Sequence, residues 1–301
     1  MTVRHDRVGG AAVRARLASL LDTPGLLLVV SDFDGTLARG SGDPTAAAIE
    51  PLARRSLRHL ARVGATHPGR CRTAILTGRT VGDAASRIRV GGIDYLGDHG
   101  LQSGWLPRGA KPGSLETTYE PGFEAHVPVA RALAAGVGGR LGHPSWLYVE
   151  SKGPSVAFHF RGAADRDAAR DAVHQALRET ELEVGAHGLA HYRGRLVVDL
   201  RPTGAGGKAE AMARLLDRHR PHAVIALGDD ISDADAFAVL RAARVEGTVD
   251  GLAVAVHGPH GMPDAVREAA DLHLASPHDA ARLLAAIARL VDRDTRSSDT
   301  R

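Results

Sequence analysis

Leu26-Leu27-Leu28-Val29-Val30-Ser31-Asp32-Phe33-Asp34-Gly35-Thr36 is the stretch on which the fold turns. It begins with an apolar run that does not alternate. Such a run reads as a strand of a parallel sheet, buried on both faces. Two carboxylates, Asp32 and Asp34, stand just past its C-terminal end. Open α/β sheets place their ligands at that edge. Like charges so close resist joint ionisation unless a cation or a proton intervenes. A plain Asp-Gly turn would also explain the acids, so the pair gains meaning only with its companions elsewhere in the chain.

Outward from this strand the pattern repeats. Residues 45–63 have helical spacing, with Thr45 as a candidate N-cap. Thr73–Thr77 is a second short apolar strand closed by Gly78-Arg79, residues 80–88 look helical, and Tyr95-Leu96 leads into Gly97-Asp98-His99-Gly100. Strand, helix and strand with short links predict a βαβ sheet. The pattern changes near residue 106. A Pro-Gly-rich link at 107–113 leads to helical spacing over 123–135 and 164–180. Between these helices, Trp146–Lys152 and Ser155–Arg161 alternate, which predicts an antiparallel sheet covered on one face. The first pattern resumes at Leu196–Leu200. It continues with a helix at 207–218, strands at Ala223–Leu227 and Leu252–Val256, and a closing helix at 277–291. The expected fold class is α/β: a Rossmann-like parallel-sheet core (1–108 and 196–292), an inserted α+β domain (109–195) and a disordered polar tail (293–301).

Composition narrows the function. Against 35 acidic residues stand 38 Lys plus Arg, a net charge of +3. That is too balanced for the field of a nonspecific nucleic-acid binder, so no nucleic-acid partner is expected. No apolar run approaches the roughly 20 residues that span a bilayer, and Met1–Gly10 lacks the apolar centre of a signal peptide. Cys71 is the single cysteine. Together these predict a cytoplasmic protein with no membrane partner. The 16 histidines show no zinc-site spacing. Only Lys111, Lys152 and Lys208 are lysine. Where arginine is the default cation, a retained lysine draws notice, because it offers a compact point charge instead of a flat fork.

Three further segments complete the chemistry. Gly228-Asp229-Asp230-Ile231-Ser232-Asp233-Ala234-Asp235 crowds carboxylates after a strand. Oxygen-only ligation suits magnesium. Acids also cap helices, a task Ser232 or Asp233 could perform, whereas capping leaves the pair Asp229-Asp230 unexplained. Thr77-Gly78-Arg79 offers a hydroxyl and free backbone N–H groups at a strand end, a suitable phosphate cradle. Gly206-Gly207-Lys208 puts a cation at a helix start, against the helix dipole, which favours a functional reason. The spacing is not that of a P-loop.

Asp32-Phe33-Asp34-Gly35-Thr36, Thr77, Lys208 and Gly228-Asp229-Asp230-x-x-Asp233 resemble, in order, the four motifs of the haloacid dehalogenase phosphatase superfamily. Glu150-x-Lys152-Gly153, Ser155, His159-x-Arg161, Arg201-Pro202 and the run from Gly228 to Phe237 resemble the trehalose-6-phosphate phosphatases within it, over roughly residues 26–285. The resemblance implies a core of haloacid dehalogenase type with a cap domain. It implies magnesium-dependent hydrolysis of trehalose 6-phosphate through an aspartyl-phosphate. Asp32 would be the nucleophile, and Asp34 would protonate the leaving sugar and then activate water. The Asp32 carboxylate, the Asp34 carbonyl and Asp229 would hold magnesium, with Asp230 and Asp233 supporting them. Thr77 and Lys208 would hold the phosphoryl oxygens. Gly78, Arg79, His99, Glu150, Lys152, His159, Arg161 and Asp199 would contact a phosphorylated disaccharide. A separate trehalose-phosphate synthase is a candidate protein partner, and any coupling to it would run between chains.

The inserted strands can be read without the family. If Gly153-Pro154 forms a two-residue turn, Lys152 faces Ser155. Trp146, Tyr148, Glu150, Lys152, Ser155, Ala157, His159 and Arg161 then share one polar, aromatic face, opposite Leu147, Val149, Val156, Phe158 and Phe160. A sugar suits such a face, and closure over it would keep water from a phosphoenzyme. The chain departs from the family pattern in three places. Asp199 stands where a Glu is usual, Asp98 adds a charge in the His99 loop, and Ala234 replaces an acid. These changes keep open a phosphatase of a related phosphorylated disaccharide or pseudo-disaccharide. A non-catalytic regulator that binds a sugar phosphate is a further alternative, but it would require a broken catalytic set, and every expected catalytic residue is present.

Overall fold

The computed structural model describes residues 8, 10–22, 24–39, 46–180, 184–185, 187–194, 196–258 and 261–298, so the N-cap expected at Thr45 lies outside the described residues. The chain divides into two units, Met1–Thr118 with Gly206–Arg301, and Tyr119–Ala205. The first unit begins with α1 (Ala11–Asp22), β1 (Leu27–Ser31), α2 (Pro51–Thr66), β2 (Cys71–Leu76), α3 (Val81–Ile88), β3 (Ile93–Gly97) and β4 (Gln102–Leu106). The short β5 (Thr118–Tyr119) marks the passage into the second unit. That unit holds α4 (Val127–Arg140), β6 (Tyr148–Ser151), β7 (Val156–His159), α5 (Arg166–Glu179), β8 (Leu189–Gly194) and β9 (Val197–Pro202). The chain then completes the first unit with α6 (Gly207–His219), β10 (Ala223–Gly228), α7 (Ile231–Val245), β11 (Asp250–Val256), α8 (Asp264–Ala269), β12 (Leu272–Leu274) and α9 (Pro277–Ser298).

The unbroken apolar run forms the central strand. The larger sheet has the order β12-β11-β10-β1-β2-β3-β4-β5, and its strands from β12 to β3 pair in parallel. Leu27 and Val29 face a core built with α1, α2 and α9. Leu28 and Val30 face a second core built with α6 and α7. Both faces of β1 are therefore dry, which is why its sequence does not alternate. Counted along the chain, the six parallel strands run in the order 3-2-1-4-5-6. This order reverses direction between β1 and β10, and the crevice beyond their C-terminal ends is the ligand position of such sheets.

The second unit is a four-stranded antiparallel sheet, β6-β7-β9-β8. Val156, Phe158, Val198 and Leu200 point to one face and pack with Ala130, Leu133, Val137, Ala169, Val173 and Leu177 of α4 and α5. Tyr148 pairs with His159 and Glu150 with Ala157. The Lys152 N–H donates to the Ser155 carbonyl at 3.0 Å, so the expected register across Gly153-Pro154 forms.

Three sequence expectations are corrected. Leu196–Leu200 does not return to the parallel core: β9 lies between β7 and β8, and the inserted unit runs from Tyr119 to Ala205, not over 109–195. Alternation decides this, since Val198 and Leu200 face the helices while Asp199 and Arg201 occupy the other face. Residues 109–118 belong to the first unit, where Ala110 and Leu115 pack on its core. The polar end is not a tail from residue 293, because α9 continues to Ser298. The antiparallel strand β4 was not anticipated. Among the described residues, no helix is long and apolar enough to cross a membrane. Phe158, fully buried between the sheet and its helices, carries much of the inserted unit's packing. Phe158→Ala should destabilise that unit by about 3–5 kcal/mol, read as an earlier urea midpoint in far-UV circular dichroism.

Candidate active site

The site grows from the C-terminal ends of three adjacent strands. Ser31 lies beside Leu227 of β10 and Ile75 of β2, and the Asp32 N–H donates to the Leu227 carbonyl at 2.9 Å. Asp32 thus leaves the sheet between the other two strands. The chain then turns through Gly35, at φ 76°. A Cβ at Gly35 would stand 2.0 Å from Asp229 Oδ2, so only glycine allows the carboxylate in. The same turn brings the buried Thr36 hydroxyl to donate to Asp229 Oδ1 at 3.0 Å. The motif alone assigns Thr36 no role. Nothing in the sequence reveals that its partner lies 193 positions away.

Helix α7 supplies the rest of the acidic group. Asp230 is its N-cap and accepts from the Ile231 N–H at 2.7 Å, and Asp233 completes the capping box. Asp230, expected to support the metal ligands, has an exposed side chain that caps the helix end. Capping therefore accounts for one member of the pair Asp229-Asp230. Asp233 works on both sides. Its Oδ2 accepts from the N–H groups of Asp229 and Asp230 at 3.2 and 3.1 Å, and its Oδ1 faces Lys208.

Lys208, in the first turn of α6, donates to Asp32 Oδ1 at 2.8 Å and to Asp233 Oδ1 at 2.7 Å. All three side chains are buried. Burial alone would lower the lysine's pKa, but Asp233 and Asp32 reverse this and hold it above the ordinary value. Burial raises the pKa of Asp32, with Lys208 opposing and Asp233 and Asp34 adding to the rise. Asp229 is raised well above the usual carboxylate range by burial, Asp32 and Asp233, with Thr36 and Lys208 opposing. Asp32, Asp229 and Asp233 each bring a ligand atom within 4.8 Å of the others. If all three carboxyl groups ionise, the one ammonium leaves them short of positive charge. That deficit and the all-oxygen donor set fit a hard divalent cation.

The β2 end places three further expected residues. Thr77 is buried, and its hydroxyl accepts from the Arg79 N–H at 3.3 Å, leaving its own hydrogen free to donate. His99 lies over Gly78, where a Cβ would meet its Nε2 at 2.7 Å, and the His99 N–H donates to the Thr77 carbonyl. Arg79, expected to contact substrate, grips Asp34 with Nε at 2.5 Å and Nη2 at 2.8 Å. Its third bond, from Nη1, goes to Asp83 at 2.6 Å. Burial would lower the arginine's pKa, and Asp34 and Asp83 more than restore it.

In the inserted unit, the face opposite the helices is polar. Glu150 Oε2 lies 3.0 Å from His159 Nε2 and 3.6 Å from Lys152 Nζ, and the Tyr148 and His159 rings are 5.6 Å apart. Lys152 is buried. Arg161, half-buried, follows β7. Asp199 shares the face and accepts from Arg201 Nε and Nη2 at 2.8 and 2.5 Å. Arg201 in turn lies 4.9 Å over the Tyr192 ring. The Asp199 Oδ1 atom is buried with no hydrogen bond. Tyr192 was missed, because β8 carries no alternation strong enough to read.

The trehalose-phosphatase family model matches residues 30–260. A curated trehalose-phosphate phosphatase from Mycobacterium tuberculosis is 34% identical over 249 residues, which is 81% of this chain and 54% of the relative. A Mycobacterium leprae protein of the same name is 34% identical over 228 residues, 73% of this chain and 49% of its own length. The chain spans about half the length of the curated relatives it matches. The fold is that of the C-terminal domain of Candida albicans trehalose-6-phosphate phosphatase, with TM-score 0.67 at 20% identity over 95% of this chain and 99% of that one. A haloacid dehalogenase-like hydrolase from Bacteroides thetaiotaomicron shares it at TM-score 0.52 and 20% identity, over 89% of this chain and 99% of that one. By its motifs, its strand order and this match across most of its length, the chain belongs to the trehalose-phosphatase family.

Proposed function

We propose that this protein is a magnesium-dependent phosphatase that hydrolyses trehalose 6-phosphate to trehalose and phosphate. The observation that carries the reading is Lys208 held between Asp32 and Asp233 with Asp229 alongside, at the ends of adjacent strands. Phosphoryl transfer asks mainly for positioning and charge neutralisation. Asp32 attacks phosphorus and forms the aspartyl-phosphate as the bond to the sugar oxygen breaks. Asp34 gives that oxygen a proton, then takes one from the water that attacks the phosphoenzyme, which releases phosphate and restores Asp32. The two bonds from Arg79 fix the direction of the Asp34 carboxyl group for both transfers. Lys208 and the Thr77 hydroxyl hold phosphoryl oxygens. Bound magnesium, held by Asp32, Asp229 and the Asp34 carbonyl, would neutralise charge on the transferring group. Asp233, engaged by Lys208 and two backbone N–H groups, keeps that arrangement in place.

The inserted unit would read the sugar. Glu150, Lys152, His159 and Arg161 offer acceptors and donors to hydroxyls beside an aromatic surface. The unpartnered Asp199 oxygen suits a hydroxyl donor, the kind of group that a wrong sugar leaves unsatisfied. The shorter reach of Asp199 favours, as a second reading, a related phosphorylated disaccharide or pseudo-disaccharide. A regulator without catalysis would not need the full set of Asp32, Asp34, Thr77, Lys208 and Asp229. A cytoplasmic location, suggested by the single free Cys71, and supply of substrate by a separate synthase belong to the same proposal.

Phosphate release from trehalose 6-phosphate should require added magnesium and stop with EDTA, and Asp32→Asn should lower it about a thousandfold or more. Turnover retained by Asp32→Asn would remove the nucleophile assignment, and a clear preference for another sugar phosphate across a substrate panel would replace the substrate. Glu150→Ala should lower kcat/KM for the sugar phosphate by about tenfold or more while changing p-nitrophenyl phosphate hydrolysis by less than about threefold. Equal losses would mean that the inserted unit does not read the sugar.

A further inference from the structure

We infer that Asp83 is a positioning residue for the sugar-releasing step, acting through Arg79 on Asp34. This assignment rests on the phosphatase reading above. Asp34 sits on a turn with 43% of its side chain exposed, so packing alone holds its carboxyl group weakly. Arg79 does, through two parallel bonds to its two oxygens. Such a fork imposes a plane as well as a distance. Yet Arg79 has a long flexible stem and needs a support of its own. Phe33 supplies one, with its ring 5.5 Å from the guanidinium. Asp83 supplies another, accepting from the nitrogen that Asp34 leaves over.

Asp83 is well placed for this. It lies in the first turn of α3, where a negative charge is favoured by the helix dipole. Its N–H donates to the Thr80 hydroxyl, which caps the helix. The Oδ2 that receives Arg79 also receives Arg87 Nε, one turn on, at 2.7 Å. Arg87 is tied in turn to the Ala47 carbonyl at 3.1 Å. The result is a row of alternating charge, Arg87–Asp83–Arg79–Asp34, anchored at its far end and directed onto the acid. The plain alternative is an ordinary surface pair at i,i+4, worth little to stability. Such a pair would explain Asp83 with Arg87. The same spacing links Asp83 to Arg79, but Arg79 lies ahead of the helix cap, its side chain is only 13% exposed, and its other two bonds hold Asp34, so this pair is not a solvated one on a helix face.

Without the Asp83 charge the guanidinium can swing away, and Asp34 loses its aim. The loss falls on both proton transfers of Asp34, which are sensitive to geometry. Phosphate binding stays with Lys208 and Thr77. Only the first transfer depends on the leaving group, and kcat/KM, which reports no step later than formation of the phosphoenzyme, isolates it. A sugar alcohol leaves poorly without a proton, whereas nitrophenolate leaves without one.

The test is steady-state kinetics of wild type, Asp83→Asn and Asp83→Glu with magnesium, on trehalose 6-phosphate and on p-nitrophenyl phosphate. Asp83→Asn should lower kcat/KM on the sugar phosphate by about tenfold, a part of what general acid catalysis contributes. On the aryl phosphate kcat/KM should change by less than about threefold. Asp83→Glu, which keeps the charge, should recover most of the lost turnover. Arg87→Gln loosens Asp83 from the far end and should cause a smaller loss, about twofold to threefold, with the same substrate bias; it keeps the question open to measurement if Asp83→Asn folds poorly. Equal losses of kcat/KM on both esters, or full activity of a folded Asp83→Asn, would overturn the assignment. Wild type is read first: an enzyme inert towards both esters defeats the phosphatase reading and this one with it, whereas equal losses from an active wild type defeat only the positioning role.

Discussion

A lysine ammonium buried between two carboxylates is the constraint on which the core depends. Lys208 opens α6, Asp32 follows β1 and Asp233 opens α7. Each of these charges would be costly alone in the interior, and removing a partner from such a group leaves an uncompensated charge. The three elements are therefore held to one another by more than apolar packing. Asp32 and Lys208 lie 176 positions apart, with the whole inserted unit between them in sequence. The chain can leave the core and return because the contacts that close it are made by the residues on either side of the departure.

The group is unbalanced, and that imbalance gives it chemistry. One ammonium faces Asp32, Asp229 and Asp233, and burial raises the cost of every uncompensated charge. The helix cap limits where the acids can go. Asp230 is held at the start of α7, and Asp233 is held by the backbone it caps. Asp229 is then the residue free to serve a cation, with Thr36 turning one of its oxygens and Gly35 making room for the other. Local helix chemistry and site chemistry thus share the same few residues.

The lysines separate along the same lines. Lys208 and Lys152 are buried beside carboxylates, and Lys111 is exposed. Two of the three retained lysines are therefore the compact cations of polar interiors, where a flat guanidinium would need a different shape of space. The exposed one has no partner that explains it.

Periodicity was enough to establish β1, the doubly wound class and the two faces of the inserted hairpin, because burial on one face or on both writes directly into the spacing of apolar residues. The paired acids, Thr77, Lys208 and the acidic run could be placed at strand and helix ends for the same reason. Three things could not be read. The strand Val197–Pro202 looked like a return to the core, since a short apolar run does not say which sheet it joins. That Asp230 caps the helix was hidden, since capping and ligation use the same side chain. The grip of Arg79 on Asp34 and Asp83 was hidden as well, since these partners are 45 positions before it and four after. The sequence by itself determined which residues carry charge and which strand ends present them. Only the tertiary structure decided which charge meets which, because an ion pair depends on distance in space, and neighbours along the chain do not set that distance.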